Sequence, residues 1–174
     1  MIKTGDQLPD VTLYQYSDGQ GSCPLGPQAF SLRERCAGKK VVIFGLPGAF
    51  TPTCSERHVP GYLATAQAQA LADAGVGEII CVAVNDAFVM HAWGKTFAEQ
   101  GAVSMISDGN AELTDALGLA QDASARGMGK RSQRYALFAD DLLVKRIVVD
   151  APGKREVSDA QSMLAFLRES GGQR

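Results

Sequence analysis

An apolar run at residues 40–46 leads directly into a turn and a new helix, and this order of elements restricts the folds open to the chain. A strand that is apolar on both faces is typical of the centre of a sheet covered by helices. Thr51 is a preferred N-cap residue and Pro52 suits the first helical position, so Cys54 falls in the first turn. The run therefore predicts a central strand that delivers a cysteine to the start of a helix.

The predicted position of Cys54 suits a reactive sulfur. First-turn N–H groups lack intrahelical partners, the helix dipole is positive there, and such positions favour the nucleophilic thiolate. We expect the Thr51 hydroxyl to cap the helix at the Cys54 N–H and to lie beside the sulfur. The alternative is a buried, unreactive cysteine behind an ordinary capped helix.

The same segment carries a family resemblance. Pro47, Thr51 and Cys54 fit the P-x-x-x-T-x-x-C motif of peroxiredoxins, which are thiol peroxidases of thioredoxin-like fold. Four blocks, at residues 45–55, 58–62, 84–95 and 134–137, resemble the fifth peroxiredoxin subfamily, which includes the plant type II enzymes. The resemblance implies reduction of hydrogen peroxide and organic hydroperoxides through a sulfenic acid on Cys54, with no cofactor.

The resemblance also implies roles for further residues. Arg134 matches the arginine that orients thiolate and peroxide in this family, and its permanently charged, planar fork can donate to both. Pro47 would shape the pocket and shield the sulfur, while the Thr51 hydroxyl would accept the peroxide proton and donate in return. The expected substrate contacts lie in the same turn: Gly48, Phe50 and Thr53.

The remaining cysteines decide how an oxidised Cys54 is recycled. No cysteine follows Cys81, although some members of the family have a resolving cysteine near the C-terminus. The apolar surroundings of Cys81 in the sequence favour core packing, whereas Cys23 and Cys36 stay open as resolving partners. We expect an external reductant, glutathione with glutaredoxin or else thioredoxin. A basic rim could attract the glutathione carboxylates, although a solvated loop would show the same cluster: Arg126, Lys130, Arg131 and Arg134.

Composition excludes several classes of protein. The 174 residues suit a single domain spanning 1–174, and a formal charge of −2 without like-charge blocks makes nucleic acid and anionic membrane unexpected partners. No apolar run is long enough to span a membrane, no secretory signal is visible, and a cytoplasmic location is expected. The four cysteines form no C-x-x-C pair or cluster, so neither a zinc site nor a disulfide scaffold is expected.

Hydrophobic periodicity predicts an α/β fold with a mixed central sheet flanked by helices. Residues 17–28, rich in Gly and Pro, are predicted to be a loop. Predicted strands lie at 11–16, 40–46, 78–84 and 103–107, and a hairpin at 135–139 and 142–149 turns at residues 140–141. Predicted helices begin at 31, at 52 with a kink or break before Pro60 and an end near 74, at 86 with an end at 100, at 111 with an end at 117, and at 160 with an end at 169.

Other functions use the same residues. Cys54 could be a redox sensor that passes oxidation to a partner. His58, four residues further on, could make a Cys-His hydrolase, although it could equally pack beside the helix. The family resemblance also implies a homodimer with its contact near the active helix, for which the apolar candidates are Phe50, Phe88 and Trp93.

Overall fold

A mixed sheet forms the centre of the computed structural model, which describes residues 1–98 and 101–171. Over these residues the sheet has seven strands in the order β2-β1-β5-β4-β3-β8-β9, and β6 and β7 pair separately. The strands are β1 Thr12–Asp18, β2 Leu25–Ser31, β3 Lys40–Gly45, β4 Glu78–Ala83, β5 Ser104–Ser107, β6 Ala120–Asp122, β7 Lys130–Ser132, β8 Tyr135–Asp140 and β9 Leu143–Val149.

Helices cover both faces of the sheet. One face packs against α2 Val59–Gln67, α3 Ala70–Asp73, α4 Ala87–Gly94 and α6 Ala160–Gly171, and the other against α1 Leu32–Cys36 and α5 Glu112–Leu117. Alternation along β3 divides the core in two: Val42 and Phe44 face the first set of helices, and Val41 and Ile43 the second. The predicted mixed sheet between helices is confirmed.

Strand β3 lies between two buried strands at the centre of the sheet. It runs parallel to β4 and antiparallel to β8, and both neighbours are almost completely buried. The β8–β9 hairpin turns at Asp141 and Leu142, with φ values of 44° and 71°, one residue later than predicted. None of the helices among the described residues is long and apolar enough to cross a membrane.

The prediction of a loop through residues 17–28 was wrong in its second half. Strand β2 begins at Leu25 and pairs antiparallel with β1 along its whole length. It is an edge strand, and an edge accepts Pro27, whose missing N–H would interrupt a central ladder. Ser31 then caps α1 as predicted, because its hydroxyl accepts the Glu34 N–H at 3.2 Å.

The irregularity predicted before Pro60 is a π-helical turn, and the helix does not end there. Residues 52–53 start an α-turn, Cys54–His58 form a π-helical turn, and α2 continues through the proline. The Val59 N–H bonds to the Cys54 carbonyl, one residue further back than in an α-helix. This wider turn makes room for a proline ring that would crowd an ordinary α-helix.

One further helical prediction needs correction, and two small elements were not predicted. The helix predicted at 86–100 begins as expected, with Asp86 accepting the Val89 N–H, but α4 ends at Gly94 and the chain continues in turns. Residues 99–100 of that prediction lie outside the described residues. The small β6–β7 sheet and a 3₁₀ turn at Ser124–Arg126 were not predicted, because such short segments carry too little periodicity.

Candidate active site

Cys54 opens the π-helical turn, and its side chain is 0% exposed. The Ser55 N–H bonds to the Thr51 carbonyl at 3.0 Å, which joins the turn to the loop before it. The Ser55 hydroxyl accepts the indole N–H of Trp93 at 3.0 Å, so α4 holds the same turn from the side. The sulfur is thus fixed at the start of a helix, as the sequence predicts.

Arg134 contacts this sulfur directly. Its Nη2 donates to Cys54 Sγ at 3.2 Å, across 80 residues of chain. The sheet explains the meeting, because Arg134 immediately precedes β8 and the register pairs Tyr135 with Gly45, just before the loop that leads to Cys54. Gly45 is required here, since a Cβ at that position would overlap the Tyr135 ring.

Three further polar side chains lie behind Arg134, and sequence analysis did not find them as a group. Arg134 Nη1 lies 2.8 Å from His58 Nδ1, and His58 Nε2 lies 3.1 Å from the Ser158 carbonyl oxygen and 3.3 Å from its hydroxyl. The Ser158 hydroxyl donates to Asp150 Oδ2. The spacing of His58 from Cys54 was the one available signal, because Asp150 and Ser158 come from a distant loop.

The environment sets the protonation of this group. Burial, and then the Arg134 cation, lower the pKa of His58 to about 4, so its imidazole is neutral at pH 7. Burial opposes ionisation of Asp150, but hydrogen bonds from the Ser158 hydroxyl and from the N–H groups of residues 156–158 outweigh it and lower the Asp150 pKa. In the structure the His58 ring contacts the Arg134 guanidinium and not the Cys54 sulfur. This removes the geometric basis for a Cys-His pair.

Thr51 does not make the predicted cap. Among the described residues its hydroxyl has one hydrogen bond, as donor to the Gly48 carbonyl at 2.8 Å. Its oxygen lone pairs consequently remain available to accept a proton donor from the cleft.

A cleft of about 670 Å³ lies over this turn. Pro47, Thr51, Thr53 and Arg134, four of the predicted site residues, line it. The rest of its wall comes from β6, from the segments between β6 and β8, and from the loop after β9: Gln121, Arg126, Met128, Gln133, Asp150, Ala151, Pro152, Gly153 and Lys154, with Pro52 beside Thr53.

Two of the expected substrate contacts lie elsewhere. Phe50 has a φ of 61° and is 57% exposed, with its ring centroid 6.4 Å from that of Trp93. Gly48 is buried beside Asn85 and Arg131, where an added Cβ would lie 3.2 Å from Arg131 Nη1. Neither residue is part of the cleft wall, so the structure supports no direct contact between them and a substrate there.

The predicted basic rim is only partly formed. Lys130 pairs with Asp115 at 2.8 Å, and Arg131 donates to the carbonyls of Met128 and Val84. Strand β7 directs these two side chains away from the cleft, whereas Arg126 and Arg134 reach it. Lys154, which the sequence analysis did not consider, supplies the third cation of the cleft wall.

The other cysteines differ from Cys54 in their surroundings. Burial raises the pKa of Cys81 well above its usual range, and burial together with Glu78 raises that of Cys36 to about 11. Cys36 packs in the core on the opposite face of the sheet, whereas Cys23 is exposed in the loop before β2. The core position predicted for Cys81 is confirmed.

A mixed sheet with a buried cysteine at a helix start, bonded by a guanidinium, defines a thiol redox protein, and comparison with known proteins narrows the class. The Redoxin family model matches residues 3–164. Peroxiredoxin-2B of Arabidopsis thaliana is 45% identical over 166 residues, which cover 95% of this chain and 98% of that protein.

Two solved structures extend the match. Reduced Prx3 of Vibrio vulnificus, in complex with hydrogen peroxide, is 46% identical with a TM-score of 0.87, covering 96% of this chain and 99% of that one. A Burkholderia cenocepacia protein provisionally assigned as a thioredoxin reductase is 58% identical with a TM-score of 0.91, covering 95% and 97%. The chain therefore belongs to the Redoxin family as a peroxiredoxin of the plant type II kind, a thiol-dependent peroxidase with a thioredoxin-like fold.

Proposed function

We propose that Cys54 is the sulfur that reacts with peroxide and that Arg134 is its charge partner. The observation that carries this proposal is the 3.2 Å contact between Arg134 Nη2 and the buried Cys54 Sγ. A guanidinium at this distance stabilises the thiolate and remains able to donate to a peroxide oxygen. The first-turn N–H groups of Thr53 and Cys54 add to the positive potential.

The first half-reaction transfers one oxygen atom. The Cys54 thiolate attacks the terminal oxygen of ROOH, a sulfur–oxygen bond forms and the O–O bond breaks. Sulfur loses two electrons and becomes a sulfenic acid, while the departing RO⁻ takes up a proton and leaves as ROH. Arg134 stabilises the charge that builds on the departing oxygen. The Thr51 hydroxyl oxygen accepts a hydrogen bond from the peroxide O–H, whose hydrogen stays on the oxygen that joins sulfur, and the departing RO⁻ takes its proton from solvent. Pro47 covers the sulfur on the cleft side.

Turnover with excess reductant tests this function. A peroxidase consumes many equivalents of hydrogen peroxide, a redox sensor about one and a hydrolase none. We expect multiple turnovers with hydrogen peroxide and with an organic hydroperoxide, because the volume of the cleft, about 670 Å³, can hold either. Consumption that stops after one equivalent would contradict the proposal.

An external thiol would then reduce Cys54. The thiol displaces water from the sulfenic acid to form a mixed disulfide, and a second thiol releases Cys54. The positions of Cys36 across the sheet and of Cys81 inside β4 favour this route over an internal disulfide. Glutathione with glutaredoxin is the reductant we favour, and thioredoxin is the alternative.

Intact-mass measurement after one equivalent of peroxide distinguishes the routes. A gain of one oxygen, converted by glutathione to an adduct, supports external reduction. A loss of two hydrogens would show an internal disulfide, and peptide mapping would then identify Cys23, Cys36 or Cys81.

Two exposed cations suit the glutathione carboxylates. Arg126 and Lys154 both line the cleft that covers Cys54. We expect the double change Arg126→Ala with Lys154→Ala to slow formation of the glutathione adduct and to leave oxidation by peroxide unchanged. Lys130→Ala is the matched control, since Lys130 pairs with Asp115 outside the cleft. Equal adduct rates in all three proteins would contradict this assignment.

The remaining parts of the proposal concern organisation. The family match and the continuous sheet support one domain over residues 1–174, and the family's usual state supports a homodimer. Phe50 and Phe88, 57% and 59% exposed, are candidate contacts, whereas Trp93 belongs to the core. Sedimentation of Phe50→Ser with Phe88→Ser tests the dimer. A cytoplasmic location is proposed, although the relatives include chloroplastic proteins.

A further inference from the structure

A continuous row of polar groups lies behind Arg134. Its members are Arg134, His58, Ser158 and Asp150, and the last three are 1%, 0% and 5% exposed. Burying this many polar groups is costly unless each finds a partner, and each does. These groups therefore form a specific buried hydrogen-bond network, which differs from a contact between mobile surface side chains.

The contacts permit only one form of the His58 ring. A guanidinium has donors and no acceptor, so His58 Nδ1 must be unprotonated to receive Arg134 Nη1 at 2.8 Å. The proton then lies on Nε2, where it points at the Ser158 carbonyl at 3.1 Å. The Ser158 hydroxyl donates its proton to Asp150. The lone pairs of the hydroxyl oxygen therefore face the same His58 Nε2–H, at 3.3 Å.

This form of the ring fixes the arginine fork. Nη1 is held by the imidazole, and Nη2 is thereby aimed at Cys54 Sγ. The Arg134 carbonyl also accepts the Asp150 N–H at 2.9 Å, so the backbone and the side chain are tied to the same loop. Without these hydrogen bonds the arginine side chain would populate many rotamers, and few of them would direct Nη2 at the sulfur.

We propose that His58 is a positioning residue that acts through Arg134, and that Ser158 and Asp150 select the imidazole tautomer that accepts from the guanidinium. The inference rests on the proposed function, in which Cys54 reacts with peroxide beside Arg134. His58 itself contacts Arg134 and does not line the cleft. It acts by binding Nη1 of Arg134, which keeps Nη2 directed at the Cys54 sulfur.

Two substitutions separate this role from simple packing. In His58→Asn the amide oxygen can take the place of Nδ1 and accept from Arg134, whereas in His58→Gln the amide lies near Nε2 and reaches Ser158 instead. The rate of Cys54 oxidation by hydrogen peroxide is followed in a single turnover through Trp93, the one tryptophan of the chain, whose N–H bonds to Ser55.

We expect His58→Gln to slow oxidation on the order of 100-fold, the usual penalty for a misplaced catalytic group. We expect His58→Asn to stay within about threefold of wild type, a difference of less than 1.36 kcal/mol in the barrier. Tyr62→Phe is the matched control, because Tyr62 donates to the same Ser158 carbonyl at 2.9 Å but does not touch Arg134. Equal rates for the Asn and Gln variants, or a slow Tyr62→Phe protein, would overturn the positioning role.

A measurement on the unaltered protein keeps the inference open to test if a variant does not fold. Side-chain ¹⁵N resonances of His58 report which ring nitrogen is protonated, and His91→Gln assigns them because the chain has only two histidines. We expect an unprotonated Nδ1 and a protonated Nε2 at pH 7. The opposite tautomer would overturn the inference, whereas a wild-type protein with the expected tautomer that consumes no peroxide would overturn the proposed function alone.

Discussion

Cys54 and Cys81 share one core and are both 0% exposed, but their sulfurs meet different surroundings. Cys81 lies in the middle of β4, flanked in the sheet by Phe44 and Met105, and burial raises its pKa. Cys54 lies at a helix start with a guanidinium nitrogen 3.2 Å from its sulfur. Burial alone makes a thiol inert, whereas burial beside a fixed cation makes a protected site for an anion.

The largest expected effect comes from substituting Cys54, and the same kind of change at Cys81 should leave the reaction intact. Cys54→Ser removes the nucleophile, so peroxide consumption should fall to that of a protein-free control. Cys81→Ala should retain the wild-type rate of Cys54 oxidation and lose about 1 kcal/mol of folding stability, the usual cost of a small core deletion. A stopped peroxide assay and urea unfolding measure the two quantities. An active Cys54→Ser protein would contradict the assignment of the sulfur.

Removing the cation should have the next largest effect. Arg134→Ala should lower the rate of Cys54 oxidation by about 10²–10³-fold, as when one donor to a developing oxyanion is lost. Arg134→Lys keeps the charge but loses the planar fork, so it should recover only part of the rate. Single-turnover kinetics measure both, and a wild-type rate in either variant would show that the guanidinium contact is unimportant.

Acid should weaken the folded state through His58. Its pKa is about 4 in the folded protein and near 6.5 when exposed, so the unfolded chain binds the additional proton between these values. Stability is full above pH 6.5 and falls by about 3 kcal/mol as the pH drops to 4. The charged groups facing the ring are Arg134, Asp150 and Arg155, of which the two arginines oppose protonation.

Urea unfolding across this pH range tests the linkage. The difference between wild type and His58→Asn isolates the imidazole from the carboxyl groups that titrate nearby, because the variant keeps those groups. The two proteins should converge in stability towards pH 4. Parallel curves at every pH would contradict the shifted pKa of His58.

The smallest expected effect concerns the support of the π-helical turn. Ser55→Ala leaves the indole N–H of Trp93 without its partner at 3.0 Å and should cost about 1 kcal/mol of stability. The fluorescence maximum of Trp93 should also change. An unaltered spectrum and an unaltered unfolding midpoint would show that α4 does not hold this turn.

The sequence was sufficient for the mixed sheet and for the pairing of Cys54 with Arg134, although the latter came from resemblance to a family. Local patterns gave β3, β4 and the last hairpin, because period and turn residues agree there. They could not give β2, because its Pro27 is tolerated only in an edge strand, and whether a strand lies at an edge is a property of the whole sheet.

The residues that support the site could not be predicted from the sequence, for a similar reason. His58 meets Ser158 across 100 residues, and the bond that Thr51 makes depends on the shape of one tight turn. Lys130 and Arg131 are close to Arg126 in sequence, but a short strand turns them to other partners. Contacts of this kind depend on tertiary geometry, which no spacing rule in one chain contains.

The proposed reaction depends most on Cys54 being the nucleophile that Arg134 holds in place. The most direct measurement is the second-order rate constant for oxidation of Cys54 by hydrogen peroxide at pH 7, with free cysteine measured under the same conditions. The account predicts a rate constant orders of magnitude above that of free cysteine, lost in Arg134→Ala. A value close to that of free cysteine would contradict it.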